Sequence, residues 1–365
     1  MGRPARSDAR VFVQGGSGRS TATPLDPAPI FAHFRGCHGT ELLTAAVCHL
    51  GIFERVGESG RSTAELQAEL GFADRPLRGC LTALRAMGLL TEHGGVVRLT
   101  PLADRFLVRG RPGFVGDYMG LAAESPGTLE MVRLLRANRP LNADSSDTGA
   151  AFVFREGLES AMEQEAAARR LPLALAGRAA CVAPVLARVI PPMPKARILD
   201  VAAGSGIYAY EMLAAHPGMT AVLLDRPEVL KVAREEAARR GLTGRVEFVA
   251  ADMFTDDLPG GCDGVLLSNV LHDWDVPECR TLVGRVAASL PPGGQVWIHD
   301  VFLDDDLGGP LEIALYSAAL FTLTEGRAYS AAEYRGWLAA HGLEAAPAVA
   351  PTLAHCGLLS AIRPG

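Results

Sequence analysis

The chain has 365 residues, of which 48% are hydrophobic and 21% are charged, and its formal net charge is −6 at pH 7. A chain of this length can bury a full core and divide into two domains, and its negative charge disfavours a general binder of nucleic acids or other polyanions. Seven cysteines without a C-x-x-C pair predict neither a disulfide framework nor a zinc site, which favours the cytoplasm. The nearest approach to a membrane span is the run from Ile313 to Leu323, which is shorter than the roughly 18 residues that a span needs, so no membrane contact is expected.

The N-terminal third of the chain divides into a polar tail and a helical unit. Residues 1–24 are rich in Gly, Arg, Ser and Pro without a hydrophobic period, which predicts a disordered tail. Between residues 25 and 112, apolar residues recur at helical spacing in successive segments, one of them opened by the capping signal Ser62 to Glu65. A hairpin around Gly94-Gly95 follows. Helices followed by a hairpin of this kind are typical of a winged helix.

A winged helix often binds DNA, which makes a DNA-binding regulator one alternative for this chain. Residues 26–110 hold nine acidic residues and nine arginines, so the unit is neutral. The helix before the hairpin carries Arg75, Arg78 and Arg85 spread around its circumference. DNA binding needs a basic footprint that faces the phosphates, so this pattern disfavours it.

Residues 113–190 are predicted to be mostly helical, with a polar break at 142–149. An apolar stripe follows the break at near-helical spacing, which is typical of core packing and also suits the wall of a pocket. Its members are Phe152, Phe154, Leu158 and Met162.

From residue 191 onward, strands and helices alternate as in an open parallel α/β sheet. An apolar run that ends in Asp200 passes through Gly204-Ser-Gly206 into an alanine-rich segment, and glycines at such a strand–turn–helix junction let the backbone approach a nucleotide closely. Nineteen residues after Gly206, a second apolar run ends in Asp225, where a carboxylate can accept both ribose hydroxyls of an adenosine cofactor. Both NAD and S-adenosylmethionine fit this pattern.

Three further features favour S-adenosylmethionine over NAD. Asp200 stands just before the loop, where it would repel a pyrophosphate and attract a cationic aminoacyl group. A third strand ends in Asp252-Met253-Phe254, which places an acid and an apolar cover where an adenine would lie. A fourth strand ends near Ser268 and leads into the sequence Val-Leu-His-Asp-Trp at 270–274.

With these ordered motifs, residues 25–365 resemble the S-adenosylmethionine-dependent O-methyltransferases of the plant caffeate and bacterial polyketide-tailoring type. The resemblance implies an α/β class I methyltransferase fold, with a Rossmann-like seven-stranded sheet in a donor-binding domain over 191–365. It also implies a winged-helix homodimerisation domain at 25–112 and a helical bridge at 113–190 that forms one wall of the acceptor pocket. The implied reaction is methyl transfer to a hydroxyl of a small aromatic secondary metabolite, and an NAD-dependent dehydrogenase remains a minor alternative.

The resemblance also implies roles for individual residues. His272 lies just past the fourth strand and matches the family's general base, a role that suits histidine because its pKa lies near the operating pH. Asp300, at the end of the fifth strand, matches an acid that orients this base, and Asp273 is either part of the catalytic group or a helix cap. The residues implied for the acceptor pocket are Met162, Trp274 and Leu323. The residues implied for cofactor binding are Asp200, Gly204, Gly206, Asp225, Asp252, Met253, Phe254 and Ser268. No metal site is expected.

The chain departs from the family pattern at residues 326–330, which have the sequence Gly-Arg-Ala-Tyr-Ser. Ala328 stands where the family commonly has a second carboxylate beside the base. His272 would then be held less firmly, unless Glu325 or Tyr329 takes over that role. The departure leaves donor binding unchanged, but it keeps open transfer to nitrogen or carbon, or a relative that binds the donor without transferring its methyl group.

Overall fold

The computed structural model describes residues 25–138, 165–191 and 193–365. The predicted tail at 1–24, the polar break at 142–149 and Met162 lie outside the described residues.

In chain order, the helices are α1 (Ala28–Arg35), α2 (Gly39–Thr44), α3 (Ile52–Val56), α4 (Thr63–Leu70), α5 (Asp74–Ala86), α6 (Pro101–Leu107), α7 (Gly116–Met119), α8 (Pro126–Ala137), α9 (Glu165–Val189), α10 (Ile207–Ala215), α11 (Pro227–Arg239), α12 (Val276–Ser289), α13 (Leu311–Leu323) and α14 (Ala331–Ala340). The strands are β1 (Arg61–Ser62), β2 (Leu90–His93), β3 (Val96–Leu99), β4 (Arg197–Val201), β5 (Thr220–Asp225), β6 (Val246–Ala250), β7 (Gly264–Ser268), β8 (Gln295–Leu303), β9 (Tyr329–Ser330), β10 (Glu344–Ala345), β11 (Ala350–Pro351) and β12 (Cys356–Ile362).

The N-terminal part of the chain has the predicted order of helices and hairpin. The capping box at the start of α4 is confirmed: the Ser62 hydroxyl accepts the Glu65 N–H at 3.2 Å, and the Glu65 carboxylate accepts the Ser62 N–H at 2.9 Å. The hairpin over Gly94-Gly95 is also confirmed, because β2 pairs with β3 in antiparallel register. β1 pairs with the other edge of β3, which gives a three-stranded sheet in the order β1-β3-β2.

The arginines of α5 make contacts within the chain. Arg78 donates to Asp74 at 2.7 Å, and Arg85 donates to Glu92 at 3.1 Å. Arg75 is only 3% exposed and donates to the carbonyl oxygens of Thr324 and Gly326 at 3.0 and 3.1 Å. Arg75 therefore connects the N-terminal helices to the loop after α13.

The C-terminal part contains the predicted sheet. Seven strands run in the order β10-β12-β8-β7-β4-β5-β6, which confirms the expected seven-stranded path, and the short β9 and β11 pair with β8 and β12. β4 to β8 are parallel to one another, and β12 is antiparallel to β8. The carboxyl ends of the parallel strands meet at one edge, where open α/β sheets bind their ligands.

One strand of the closing hairpin is shorter than the sequence predicts. The run 343–349 is expected to pair along its length with the run 355–362. Only Glu344–Ala345 pairs at first, and the chain returns to the sheet at Ala350–Pro351. Pro347 lies between these pieces and has no N–H to donate to a neighbouring strand, which explains the break.

α9 contains a longer apolar stretch than the sequence pattern indicates. Pro172–Val189 has 18 residues and a mean hydropathy of 1.4, so it could cross a membrane by length and composition, and the expectation that Ile313 to Leu323 is the nearest such run is wrong. Arg178 and Arg188 interrupt the stretch, which obscured it in the sequence. A single helix of this kind is weak evidence for a membrane, because core helices of globular proteins have the same composition, and 33% of the stretch is buried here.

α13 belongs to both halves of the molecule. Ala318 and Phe321 are buried in the N-terminal core, whereas Ile313 and Ala314 pack with residues of β8. This position brings the middle of α13 to the carboxyl edge of the parallel strands.

Candidate active site

His272 and Asp300 form a buried pair at the carboxyl edge of the sheet. A short 3-10 turn, Leu271–Asp273, follows β7 and carries His272, while Asp300 lies on the neighbouring strand β8. The His272 Nδ1 lies 2.5 Å from the Asp300 Oδ1, and the two residues are 4% and 0% exposed.

The other contacts of Asp300 show how this pair is oriented. Its Oδ1 accepts the Val301 N–H at 2.8 Å, and its Oδ2 accepts the Tyr334 hydroxyl at 3.3 Å. An ionised carboxylate only accepts hydrogen bonds, so Nδ1 of His272 carries the proton between them. Nε2 of His272 is therefore left with its lone pair, which is the state that a general base requires.

The charges around His272 favour its protonated form. Burial lowers the pKa of His272, but Asp300 and Asp273 oppose that effect, and the pKa lies above its ordinary value of 6.5. Burial also acts to raise the pKa of Asp300, but His272 outweighs it and holds the pKa of that carboxyl below 3.8. The pair is thus arranged to stabilise an imidazolium once a proton has been accepted.

Asp273 lies beside the base nitrogen. Its Oδ1 is 3.6 Å from the His272 Nε2, and burial raises the pKa of Asp273 to about 6. The alternative that Asp273 caps the next helix is wrong, because the cap of α12 is Asp275, whose Oδ1 accepts the Val276 N–H at 2.8 Å.

Neither of the two suggested substitutes for the missing acid at position 328 contacts the His272 ring. Ala328 is fully buried, and its N–H donates to Ser317 Oγ at 3.1 Å. The Tyr329 hydroxyl donates to the Trp274 carbonyl at 2.6 Å. Glu325 lies near Arg75, whose pKa burial lowers to about 10 although Asp275, Tyr329 and Glu325 oppose that effect.

The same loop needs a glycine at position 326. A Cβ on Gly326 would collide with the His272 carbonyl and would lie 2.5 Å from the Trp274 nitrogen. The loop after α13 therefore packs directly on the backbone of the turn that carries His272, and together with the Tyr329 hydrogen bond it fixes this turn.

The glycine loop after β4 has the backbone geometry of a ligand cradle. Gly206 has a φ of 77°, and a Cβ there would lie 2.5 Å from Tyr210 and 2.6 Å from Leu223. Gly204 also has a positive φ, of 58°, but no atom lies within 4 Å of a Cβ built on it. The loop thus packs tightly on one side and faces open space at Gly204.

Asp225, at the end of β5, holds this loop in place. Its Oδ2 accepts the Gly204 N–H at 2.8 Å, and its Oδ1 accepts the Arg226 N–H at 2.7 Å. Each oxygen keeps a further lone pair that can accept a ribose hydroxyl.

Asp200 is a buried acid with an unused oxygen. It is 2% exposed, and its Oδ2 has no hydrogen-bond partner among the described residues. Burial first, and then the neighbouring Asp225, raise the pKa of Asp200 to about 8. A cationic ammonium group would favour the ionised carboxylate and satisfy this oxygen, whereas a pyrophosphate brings no positive charge to it, so the residues fit S-adenosylmethionine better than NAD.

The acid and apolar cover after β6 are more tightly engaged than the sequence suggests. Asp252 accepts from Arg226 Nη2 at 2.9 Å and from the Phe254 N–H at 2.7 Å. Phe254 packs edge-on to Trp274 with ring centres 4.7 Å apart, and the half-buried Met253 belongs to the same apolar cluster. Arg226 is not among the residues predicted from the sequence, although its position directly after Asp225 could have suggested it.

The remaining predicted site residues have mixed surroundings. Ser268 Oγ lies 2.8 Å from His299 Nδ1, so Ser268 is engaged in an internal polar network. Trp274 is 7% exposed and packs in the core beneath the site, whereas Leu323 is 39% exposed at the end of α13. Among the residues that the structure describes, no cluster of three or more His, Cys, Asp or Glu could hold a metal ion.

Three further residues reach the surroundings of His272 from distant parts of the chain. The Tyr316 ring, on α13, lies edge-on to His272 with ring centres 5.8 Å apart. Arg35, on α1, stacks over Tyr316 at 4.1 Å from the ring centre. Arg178, on α9, donates to Asn269, three residues before His272, at 2.7 Å. No local motif marks these residues, because α1, α9 and α13 meet only in the folded chain.

Comparison with known proteins finds O-methyltransferases similar to this chain. Residues 174–344 match a family model described as an O-methyltransferase domain. The chain is 35% identical over 305 residues to the 3-hydroxy-5-methyl-1-naphthoate 3-O-methyltransferase of Streptomyces sahachiroi, which covers 83% of this chain and 85% of that protein. It is 30% identical over 318 residues to the tetracenomycin polyketide synthesis 8-O-methyl transferase TcmO of Streptomyces glaucescens, and this match covers 87% of this chain and 91% of that protein. A solved structure of an O-methyltransferase family 2 protein from Planctomyces limnophilus, in complex with apigenin, has 45% identity and a TM-score of 0.82, with coverage of 93% and 97%.

Proposed function

This chain belongs to the S-adenosylmethionine-dependent O-methyltransferases, and we propose that it methylates a hydroxyl of a small aromatic secondary metabolite with His272 as the general base. The observation that carries the role of His272 is its buried pairing with Asp300 at 2.5 Å, which leaves Nε2 available to a proton. The relatives named for a hydroxynaphthoate and for tetracenomycin polyketide synthesis, and the neighbour solved with apigenin, favour an aromatic acceptor.

The mechanism follows from the state of His272. S-adenosylmethionine, when bound, supplies a methyl group that is electrophilic because it is attached to a sulfonium. Nε2 of His272 takes the proton of the acceptor hydroxyl, which makes the oxygen a better nucleophile. Asp300 stabilises the imidazolium through Nδ1, and Asp273 adds a second negative charge 3.6 Å from Nε2.

We assign donor binding to the carboxyl ends of β4, β5 and β6. Asp200 would accept the ammonium group, Asp225 the ribose hydroxyls, and Gly204 would allow the donor to approach the backbone. Met253 and Phe254 would cover the adenine, while Asp252 acts through its bond to Arg226. Ser268 would support this region through His299 without touching the donor.

The test of the base uses His272→Gln on a phenolic acceptor. Loss of general-base catalysis is expected to lower kcat by about 10²–10⁴-fold. S-adenosylmethionine affinity, measured by calorimetry, should remain within about twofold, because the imidazole faces the acceptor. His341→Gln, which changes an exposed histidine at the end of α14, is the matched control. Near-normal turnover by His272→Gln would show that His272 is not the base, and the chemical shift of the new methyl group in the NMR spectrum of the product shows whether oxygen received it.

We also propose that residues 25–112 form a homodimerisation domain, with 113–190 as a bridge and 191–365 as the donor-binding domain. Large apolar side chains are exposed on the N-terminal helices: Ile30 is 71% and Phe34 is 76% exposed on α1. An apolar surface of this kind favours a second copy of the chain as its partner. All seven cysteines are free thiols, which supports a place in the reducing cytoplasm.

A further inference from the structure

The surroundings of His272 contain a positively charged side chain that the proposed mechanism does not use. Arg178 projects from α9 toward the carboxyl edge of the sheet, and its Nη2 donates to Asn269 Oδ1 at 2.7 Å and to Cys356 Sγ at 2.8 Å. Cys356 is the cross-strand neighbour of Val301, the residue after Asp300. Arg178 is thus bound to Cys356, on the strand next to the one that carries Asp300.

The guanidinium of Arg178 has unused hydrogen-bonding capacity. Its Nε is buried without a partner, and its Nη1 makes no hydrogen bond with any described residue. No carboxylate of the described part of the chain lies within 4 Å of it, although Asp300 and Asp273 are near enough to exert their charge on it. Burial disfavours the charge of Arg178, but Cys356, Tyr208, Tyr316 and Asp300 outweigh that effect and hold the pKa of the guanidinium above its ordinary value. The group is therefore a cation with free donors, which an anionic ligand can occupy.

Two neighbouring groups extend this surface. Arg35 is 6% exposed and adds a second positive charge behind the Tyr316 ring. The Tyr316 hydroxyl makes no hydrogen bond with a residue that the structure describes, so it can donate to a ligand as well. The Tyr316 ring contacts both groups, in a T-shaped arrangement with His272 and stacked under the Arg35 guanidinium.

We propose that Arg178 binds a carboxylate of the acceptor, so that the methylated substrate is a hydroxyaryl carboxylic acid. This inference rests on the proposed function, because it assigns the acceptor of the same site. The anion at Arg178 must be a group other than the reacting hydroxyl, since His272 has to remove the proton of that hydroxyl. A guanidinium is well suited to the planar carboxylate, and the resulting hydrogen bonds are charge-assisted.

The experiment compares isomers of hydroxynaphthoic acid, each with its own carboxamide, which keeps the ring and the hydroxyl but removes the charge. Binding is measured by calorimetry in the presence of S-adenosylhomocysteine, and turnover is measured with S-adenosylmethionine. The wild-type protein is expected to prefer at least one acid over its carboxamide by about 10–100-fold, the effect of charge-assisted hydrogen bonds. Arg178→Met should reduce this preference to about twofold, mainly through KM, and Arg178→Lys should retain part of it.

The control is Arg335→Gln, which removes an arginine of α14 that donates to the carbonyls of Ala346 and Pro347. It should keep the full preference for the acid. Equal binding of acid and carboxamide by the wild-type protein, or absence of binding by every acid, would overturn the inference. An equal loss for both compounds in Arg178→Met would assign Arg178 a structural role instead. Acid-selective binding that depends on Arg178 without any methyl transfer would support the role of Arg178 and contradict the proposed function. Methylation of a hydroxyl without preference for the acid would support the proposed function and contradict the role of Arg178.

Discussion

Replacing Asp300 by asparagine tests the central pair of the site while preserving its shape. Asp300 is fully buried and accepts hydrogen bonds from His272, Val301 and Tyr334. Asparagine keeps an oxygen in the same place but removes the charge. Its amide can also donate to Nδ1, which would leave the proton on Nε2 and block that nitrogen as a base.

The size of the effect follows from the burial of the pair. Removing one partner of a buried ion pair costs about 3–5 kcal/mol. Because about 1.4 kcal/mol corresponds to a factor of ten, kcat on a phenolic acceptor should fall by about 10²–10⁴-fold. We expect the whole of this energy to appear in kcat, because the negative charge of Asp300 stabilises His272 most strongly once the imidazolium has formed.

The pH dependence of kcat is a second test of the Asp300→Asn variant. The neutral imidazole is the active form, so activity is lost as the pH falls through the pKa of His272, which lies above 6.5 in the wild-type protein. Without the charge of Asp300, only Asp273 opposes the effect of burial, so the pKa of His272 falls and the acidic limb of the kcat profile should move to lower pH.

The control for this variant is Tyr334→Phe, which removes one hydrogen bond to Asp300 but leaves the charge. It should change kcat by about tenfold or less, because this hydrogen bond is long at 3.3 Å and the charge that stabilises the imidazolium stays in place. If Asp300→Asn kept kcat within about threefold and the acidic limb did not move, Asp300 would not be the partner that makes His272 a base.

Two further predictions concern the donor and the assembly. Burial raises the pKa of Asp200 to about 8, so Asp200 is mostly protonated near pH 7, and binding of the donor's ammonium group should release a proton that Asp200→Asn does not release. Calorimetry of S-adenosylmethionine binding in two buffers of different ionisation enthalpy measures the number of protons released. Equal release by both proteins would contradict the assignment. Light scattering of the full chain should give twice the mass of one chain, and Phe34→Glu should shift it toward the monomer because it places a charge on the exposed apolar face of α1. A wild-type monomer at micromolar concentration would contradict the dimer.

Elements marked by local chemistry are the ones that the sequence predicts well. The capping box at Ser62, the hairpin at Gly94-Gly95 and the alternation of buried strands all depend on residues within one turn or strand. The strand at 343–349 is predicted less well, because the position of Pro347 relative to the neighbouring strand decides whether pairing continues, and that register is set by the fold.

The candidate site divides in the same way. Asp200 and Asp225 lie at or next to the ends of their strands, and His272 lies in the turn after β7. Asp300 lies inside β8, one residue beyond its last pair with β7, so alternating strands and helices are enough to bring the four residues to one edge. Arg178 and Tyr316 come from helices whose rotation about their own axes decides which side chain faces that edge. No spacing in the sequence specifies this rotation, since it results from packing between distant segments.

In the proposed mechanism, the position of Asp273 explains how the chain can lack an acid at position 328. A carboxylate beside the base nitrogen can come from any backbone near enough to it, and here Asp273 comes from the same turn as His272. That turn is held by the Tyr329 hydroxyl on the Trp274 carbonyl and by the close packing of Gly326. Position 328 instead contributes a backbone N–H to Ser317 on α13, the helix that carries Tyr316. In the proposed mechanism, the loop after α13 therefore serves the base by fixing the backbone that carries both His272 and Asp273, and Asp273 supplies the acid beside Nε2.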